Sequence, residues 1–198
     1  MNLTATAKGA ATREMIVERA YGIASRYGLE GLSIGELAAA AGMSKSGVFA
    51  HFGSREDLQL SVLDWTAERY AATVMGPALR QPRGLPRLRA IMTSWFEWVR
   101  ANPDGCVILG AAAEYDGRPG AVRDRVVGWL LEWRKAVIRA VSLCVETGEL
   151  AADTDPDLVA FQLFALIDGL HNTRLYDPDN AHALACRALD HLFSSLSA

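Results

Sequence analysis

The sequence has few features of secreted, membrane or metal-binding proteins. Its three cysteines, Cys106, Cys144 and Cys186, are odd in number and form no CxxC pair, which excludes a disulfide framework and a zinc site of the usual spacing. No run approaches the ~18 apolar residues of a membrane span, and the N-terminus lacks the apolar core of a signal peptide. We therefore expect a soluble, cytoplasmic protein with reduced thiols; small buried apolar side chains are the main interpretation of the cysteines, and a redox sensor is the alternative.

Recognisable catalytic patterns are also missing. There is no GxSxG or HExxH sequence, and the segment GMSKSG has the glycine spacing of a phosphate loop but carries Val48 where the lysine is needed. Asp168 and His171 stand at i, i+3, but no second helix supplies the matching carboxylate and histidine of a di-metal bundle. The sequence predicts no enzyme activity, no metal and no cofactor.

Alternating strand patterns, internal repeats and an overall basic charge are absent as well. The 198 residues carry a formal charge of -3 and are 51% hydrophobic, enough for a buried core. Charge is uneven, because six of the 20 basic but only four of the 23 acidic residues lie within the first 55 positions. Helical spacing of apolar residues predicts an all-α fold of about nine helices.

What is present centres on Ser33 to Phe52, which has the pattern of a helix-turn-helix. Ser33 is a helix cap with Glu36 three residues later, and Ser44 caps a second helix. Gly42 between them supplies the turn, where a positive φ is needed. Before this segment, an apolar stripe from Ile16 to Tyr27 predicts a helix beginning at a Thr12 cap, after a flexible arm over residues 1–11.

The run GLSIGELAAAAGMSKSGVFAHFGSREDL resembles the DNA-binding domain of the tetracycline-repressor (TetR) family, and the likeness covers roughly Thr12 to Leu63. It implies a three-helix DNA-binding domain over 12–55 and a helical effector-binding and dimerisation domain over 56–198. Phe49 departs from the family pattern, which usually has a tyrosine there, and Ser46 stands where glycine is frequent. Arg55 replaces the usual lysine.

In this interpretation the second helix enters the major groove of an operator. Lys45 and Arg55 are expected at phosphates, and Ser46 and Gly47 near base edges. Phe49 is expected to contact a thymine methyl or to pack, and His51 to bond a phosphate or to form a structural hydrogen bond. The expected DNA-binding residues are thus Ser33, Lys45, Ser46, Gly47, Phe49, His51 and Arg55.

The remaining chain predicts a helical body. A fourth helix begins after Ser54 and runs to about Met75, where Gly76-Pro77 should close it. Asp155-Pro156 and Asp177-Pro178 open the last two helices, about 156–175 and 178–196. The first of these is apolar around most of its circumference, and the resemblance implies a homodimer through this pair; ordinary packing within one chain is the alternative.

Four of the five tryptophans lie after the fourth helix, in two pairs at helical spacing, which is typical of a core. The alternative is a cavity wall for a small apolar or aromatic effector, favoured by the resemblance because TetR-like proteins generally bind a small molecule there. The candidate ligand-binding residues are Trp95, Trp98, Trp129, Trp133, Asp168, His171 and Asn172.

The function predicted from all this is a transcriptional regulator, a repressor released from a palindromic operator by an effector. The alternative is a helical small-molecule-binding protein or enzyme whose N-terminal domain does not read DNA. The operator, the effector, the regulated genes and the choice between repressor and activator are open at this level.

Overall fold

A computed structural model describes residues 3–197, and the side chains of residues 8–197. This part of the chain is helical, with an isolated bridge between Leu150 and Ser197 as its one extended pairing. The helices are α1 (Leu3–Tyr27), α2 (Ile34–Ala41), α3 (Lys45–Phe52), α4 (Arg55–Tyr70), α5 (Gly76–Leu79), α6 (Leu85–Ala101), α7 (Val107–Glu114), α8 (Ala121–Glu146), α9 (Pro156–Thr173) and α10 (Pro178–Ser195). A π-helical turn, Ala71–Met75, joins α4 to α5 without a break, so the described residues form nine continuous helices, as the sequence predicted.

Two compact units can be distinguished. The first holds the chain up to Arg69 together with Asp104–Trp129, and the second holds Tyr70–Pro103 and the chain from Leu130 onwards. Helix α7 and the start of α8 therefore belong with the helix-turn-helix. The predicted boundary between a DNA-binding domain (12–55) and an effector-binding domain (56–198) follows the helix-turn-helix pattern and does not coincide with these units. The functions assigned to the two domains stay predictions.

The predicted start of the first helix is wrong. Residues 3–11 are helical, and the hydroxyl of Thr12 donates to the Lys8 carbonyl at 2.9 Å, a bond inside a helix and not at its cap. The segment is short of turn formers and rich in alanine, the best helix former, so the helix extends over it. Of the predicted flexible arm, residues 1 and 2 lie outside the described part.

The predicted end of the fourth helix is also wrong, because Gly76 keeps a helical φ of -55° and the helix continues to Leu79. Pro77 has no N–H and would collide with a carbonyl in a regular α-helix. The π-helical turn just before it widens the spacing, with the Gly76 N–H bonding back to the Ala71 carbonyl. The proline then stands in the first turn of α5, where no N–H is required.

The helix-turn-helix forms as predicted. The hydroxyl of Ser33 accepts from the Glu36 N–H, and that of Ser44 accepts from the Gly47 N–H at 3.1 Å. Gly42 ends α2 with φ +65°. The turn is closed by apolar side chains beneath it, all buried: Leu29, Leu32, Leu37, Ala38, Val48 and Phe52.

The second unit is built on α6, α9 and α10, whose mutual contacts bury one face of each helix. Helix α9 begins as predicted, with the Asp155 carboxylate accepting from the N–H groups of Asp157 and Leu158. Helix α10 also begins where predicted, but Asp177 makes no capping bond; its carboxylate accepts from the Asn180 side chain at 2.8 Å. Within residues 3–197, no helix combines the length and apolar character that crossing a membrane requires.

Candidate nucleic-acid interface

Helix α3 presents a polar, exposed side opposite its buried Val48 and Phe52. Lys45, Ser46 and Phe49 all lie on the exposed side, and the Phe49 ring keeps 44% of its surface accessible. The burial of one flank and the exposure of the other come from the sequence itself, because Val48 and Phe52 stand one turn apart. An exposed α3 is the geometry that a helix needs to enter a DNA groove.

The ammonium group of Lys45 lies at the start of α2. A β-carbon added at Gly35 would be 3.1 Å from Cε and 3.4 Å from Nζ of Lys45, and 3.6 Å from the Ser33 hydroxyl oxygen. The lysine charge and the Ser33 hydroxyl therefore share one place on the surface. Helix N-termini attract phosphate, so the cation adds to a site that α2 already favours.

Ser46 and Gly47 lie in the first turn of α3. The Ser46 hydroxyl is 3.0 Å from that of Ser44, and Gly47 packs closely, since an added β-carbon would meet Met43 Cε and Ser44 Oγ at 3.3 Å. His51 is half-buried, and its ring centroid lies 6.4 Å from that of Phe52. The structure thus gives His51 a packing contact, while its contact with phosphate stays a prediction.

Arg55 is already engaged within the protein. Its guanidinium donates to the Glu30 main-chain carbonyl and faces the Glu30 carboxylate at 3.5 Å. The role of Arg55 at phosphate is untested, and the sequence interpretation missed this internal role. Arg13 supports the same region from α1, with its guanidinium 4.8 Å from the Phe52 ring centroid.

Glu30 is the centre of a cluster that the sequence did not indicate. Its carboxylate accepts a hydrogen bond from the Tyr115 hydroxyl, and it also faces Gln59 Nε2 at 3.5 Å and Arg118 at 3.8 Å. The Tyr115 bond is the main reason that the pKa of Glu30 is lowered, while Arg55 and Arg118 act in the same direction. Burial and the neighbouring Glu30 raise the pKa of Tyr115.

The end of α1 and the turn after it make two further contacts, one with Glu114 of α7 and one with Asp104, which precedes α7. The Leu29 N–H donates to a Glu114 carboxylate oxygen at 2.8 Å, and Arg26 pairs with Asp104 at 2.9 Å. These partners lie more than 70 residues apart in sequence, and no spacing pattern connects them. We name Glu30, Arg55, Gln59, Tyr115 and Arg118 the Glu30 cluster.

The predicted ligand-binding tryptophans fall into two groups. Trp95, Trp98 and Trp133 lie in the second unit, buried around Tyr70, with ring centroids 4.2 to 5.9 Å from that of Tyr70. Rings at these distances are in direct contact and form a packed core. Trp129 belongs to the first unit.

The predicted polar residues of the ligand site stand on α9. Asp168 and Asn172 are exposed, and the Asn172 amide donates to the Asp168 carbonyl at 2.8 Å. The pKa of Asp168 is raised because the surrounding protein removes part of its hydration. His171 is half-buried, and its Nδ1 has no hydrogen-bond partner within the described residues. Ligand binding at these residues stays a prediction.

Comparison with known proteins gives matches along most of the chain. Residues 16–62 match the profile of bacterial regulatory proteins of the tetR family, and residues 84–189 match the tetracyclin repressor-like C-terminal domain. The chain is 24% identical over 182 residues to the transcriptional regulator TtgR of Pseudomonas putida, covering 87% of this chain and 84% of that protein. It is 23% identical over 158 residues to the repressor DhaR of a Mycobacterium species, covering 79% of each.

Solved structures share the fold. A TetR transcriptional regulator from Chloroflexus aurantiacus aligns with a TM-score of 0.82 at 27% identity, over 94% of each chain. AibR, solved with isovaleryl coenzyme A and operator DNA, aligns with a TM-score of 0.74 at 22% identity, over 94% of this chain and 98% of that one. The arrangement of helices is therefore one that known regulators adopt.

Proposed function

Because this chain belongs to the TetR family of transcriptional regulators, we propose that it is a homodimeric repressor released from a palindromic operator by a small-molecule effector. The exposed side of α3, with Lys45 at the start of α2, is the observation that supports DNA contact most directly. Two copies of α3, one from each protomer, read half-sites about one helical turn (~34 Å) or slightly more apart.

Dimerisation through α9 and α10 is supported by their exposed apolar side chains. Phe161 is 70% exposed and Leu158 is 55% exposed on α9, and Leu184 is 41% exposed on α10. A groove between the two helices is lined by small residues, among them Ala165, Gly169 and Ala188. Large exposed apolar groups beside a groove of small residues are suited to a second copy of the same pair, which forms a four-helix interface.

The effector in this proposal acts on the separation of the two copies of α3. Helix α4 starts beside the helix-turn-helix, and its helical hydrogen bonding continues through the π-helical turn into α5, so a shift along it reaches the DNA-binding residues. A coupling of only about 1–3 kcal/mol changes operator affinity roughly 5- to 150-fold. The effector binds in the second unit in this proposal, as the resemblance to TetR-like proteins implies.

The experiment begins with selection of bound DNA fragments, followed by affinity measurements on the selected operator at several salt concentrations. Lys45→Ala should weaken binding and reduce the slope of log affinity against log salt by about 1, since one phosphate contact is lost. Lys135→Ala is the matched control, because Lys135 is an exposed lysine of α8 paired with Glu132 at 2.8 Å. Unchanged affinity and slope in Lys45→Ala would refute the role of Lys45, and failure to select any DNA would refute the proposed function.

A further inference from the structure

Arg174 directly follows α9 and has an unusual set of contacts. Its Nη1 donates to the Pro103 carbonyl at 2.9 Å, while its Nε–H is buried and has no acceptor among the described residues. No carboxylate of residues 8–197 lies within 4 Å of this guanidinium. A half-buried cation without a counter-ion bears a desolvation penalty that an anion would relieve.

A cleft of about 190 Å³ adjoins Arg174 in the second unit. It is formed where α6, α9 and α10 meet, and its walls are mainly apolar. Val99, Leu170 and Ala181 are each at most 5% exposed and provide those walls, with Pro103 beside them. The volume corresponds to about six water molecules at ~30 Å³ each, so the cleft suits a small ligand.

The other two basic residues at the cleft, Arg100 and His182, share one carboxylate, that of Glu97. Glu97 pairs with Arg100 at 2.6 Å and faces His182 Nε2 at 3.1 Å. Arg174 is the one arginine of the lining without a carboxylate partner among the described residues, and the cleft therefore matches an anion of charge -1 better than a phosphate ester of higher charge.

His171 stands near the end of α9, three residues before Arg174. Its pKa is lowered, first by burial and then by the charge of Arg174. The Nδ1 of His171 is also buried without a partner in the described protein. Nδ1 of His171 and Nε of Arg174 are thus two buried nitrogen atoms without a partner among the described residues, three positions apart in sequence.

We propose that this cleft binds a small aliphatic monocarboxylate. Nη1 of Arg174 already bonds to the Pro103 carbonyl and Nε is buried, so a carboxylate in the cleft pairs with the N–H groups that remain on Nη1 and Nη2. The hydrocarbon part of the ligand packs on Val99, Leu170 and Ala181. Acids of roughly four to six carbons fit the volume. The role of this acid as the effector rests on the proposed function, whereas its binding does not.

The test is calorimetric titration of the full chain, without DNA, with butyrate, hexanoate and the neutral analogue 1-hexanol. Wild type should bind hexanoate at least tenfold more tightly than 1-hexanol. Arg174→Gln should lose at least tenfold in hexanoate affinity, and Arg174→Lys should fall between the two, because it keeps the charge but lacks the fork. Arg139→Gln is the control, since Arg139 is an exposed arginine of α8 paired with Glu146, and its hexanoate affinity should equal that of wild type.

Equal hexanoate affinity in wild type and Arg174→Gln would overturn the proposal, as would the absence of binding to wild type. If Arg174→Gln weakens the dimer in sedimentation experiments while wild type binds no acid, the counter-ion of Arg174 is a carboxylate of the second copy, and the proposal is wrong. If wild type binds hexanoate but keeps its operator affinity, carboxylate binding in the cleft is supported and the role of the acid as effector is refuted. Loss of operator binding on adding hexanoate, absent in Arg174→Gln, supports both.

Discussion

Tyr115→Phe should destabilise the first unit by removing one hydrogen bond from the Glu30 cluster. The Tyr115 side chain is buried, and its hydroxyl donates to the Glu30 carboxylate. The substitution keeps the ring and its packing, so the loss is confined to a hydrogen bond to a charged group, worth about 1.5–3 kcal/mol. Since the Glu30 side chain is 40% exposed, water replaces part of the lost bond, and we expect about 1.5 kcal/mol, the lower end of that range.

The effect should depend on pH in a defined direction. The Tyr115 hydrogen bond lowers the pKa of Glu30 below its ordinary value of 4.5. A lowered pKa contributes stability above the unfolded value, and this contribution disappears as the pH falls through the folded one. The difference between wild type and Tyr115→Phe should therefore be constant from neutral pH down to about 5 and should shrink below 4.5.

Urea unfolding followed by far-UV circular dichroism at several pH values measures both effects. Tyr176→Phe is the matched control, because the Tyr176 side chain is 77% exposed and its hydroxyl bonds, within the described part of the chain, to that of Thr173 at 3.1 Å. The control should stay within about 0.5 kcal/mol of wild type. Equal stability of Tyr115→Phe and wild type at pH 7, or a difference that persists unchanged at low pH, would contradict the assigned role of Glu30.

Three further substitutions test other parts of the structure. Gly28→Ala should lower the free energy of unfolding by about 1–3 kcal/mol in thermal denaturation, because φ of Gly28 is +75° and the new β-carbon would lie 1.9 Å from a Glu114 carboxylate oxygen. Its control is Gly110→Ala, which should not destabilise the protein because the new β-carbon has no neighbour within 4 Å. Ser44→Ala should cost about 1 kcal/mol by removing the cap of α3, whereas Ser44→Gly should cost only a few tenths of that. Phe161→Glu should raise the dimer dissociation constant at least tenfold in sedimentation experiments, and an unchanged constant would exclude this face of α9 from the interface.

The helix-turn-helix could be predicted because its determinants are local. Ser33, Gly42 and Ser44 each act within four residues of their own position, through a capping bond or a positive φ. The same holds for the start of α9 at Asp155, where cap and proline adjoin. Each of these features can be recognised without knowing which distant residues pack against it.

The two wrong helix ends have a different origin. At the start of α1, small and polar residues predict a mobile arm, although the alanines among them extend a helix that has no apolar stripe there. At Gly76-Pro77, a usual stop signal was accommodated by a π-helical turn five residues long. Neither outcome changes the type of fold, because both concern only the length of a helix.

The Glu30 cluster lay beyond sequence reasoning because its members come from three separate segments, with Tyr115 85 residues from Glu30. Its existence changes what can be expected of Arg55. An exposed ion pair such as that of Arg55 with Glu30 contributes about 0–1 kcal/mol, so a DNA phosphate can compete for the guanidinium. Any release of Arg55 leaves Glu30 more dependent on Tyr115 and Arg118, the residues at and beyond the end of α7. On the proposed function, we therefore expect a phosphate contact of Arg55 to depend on the position of α7 within the first unit, and a double-mutant cycle on Arg55 and Tyr115 should show non-additive effects on operator binding.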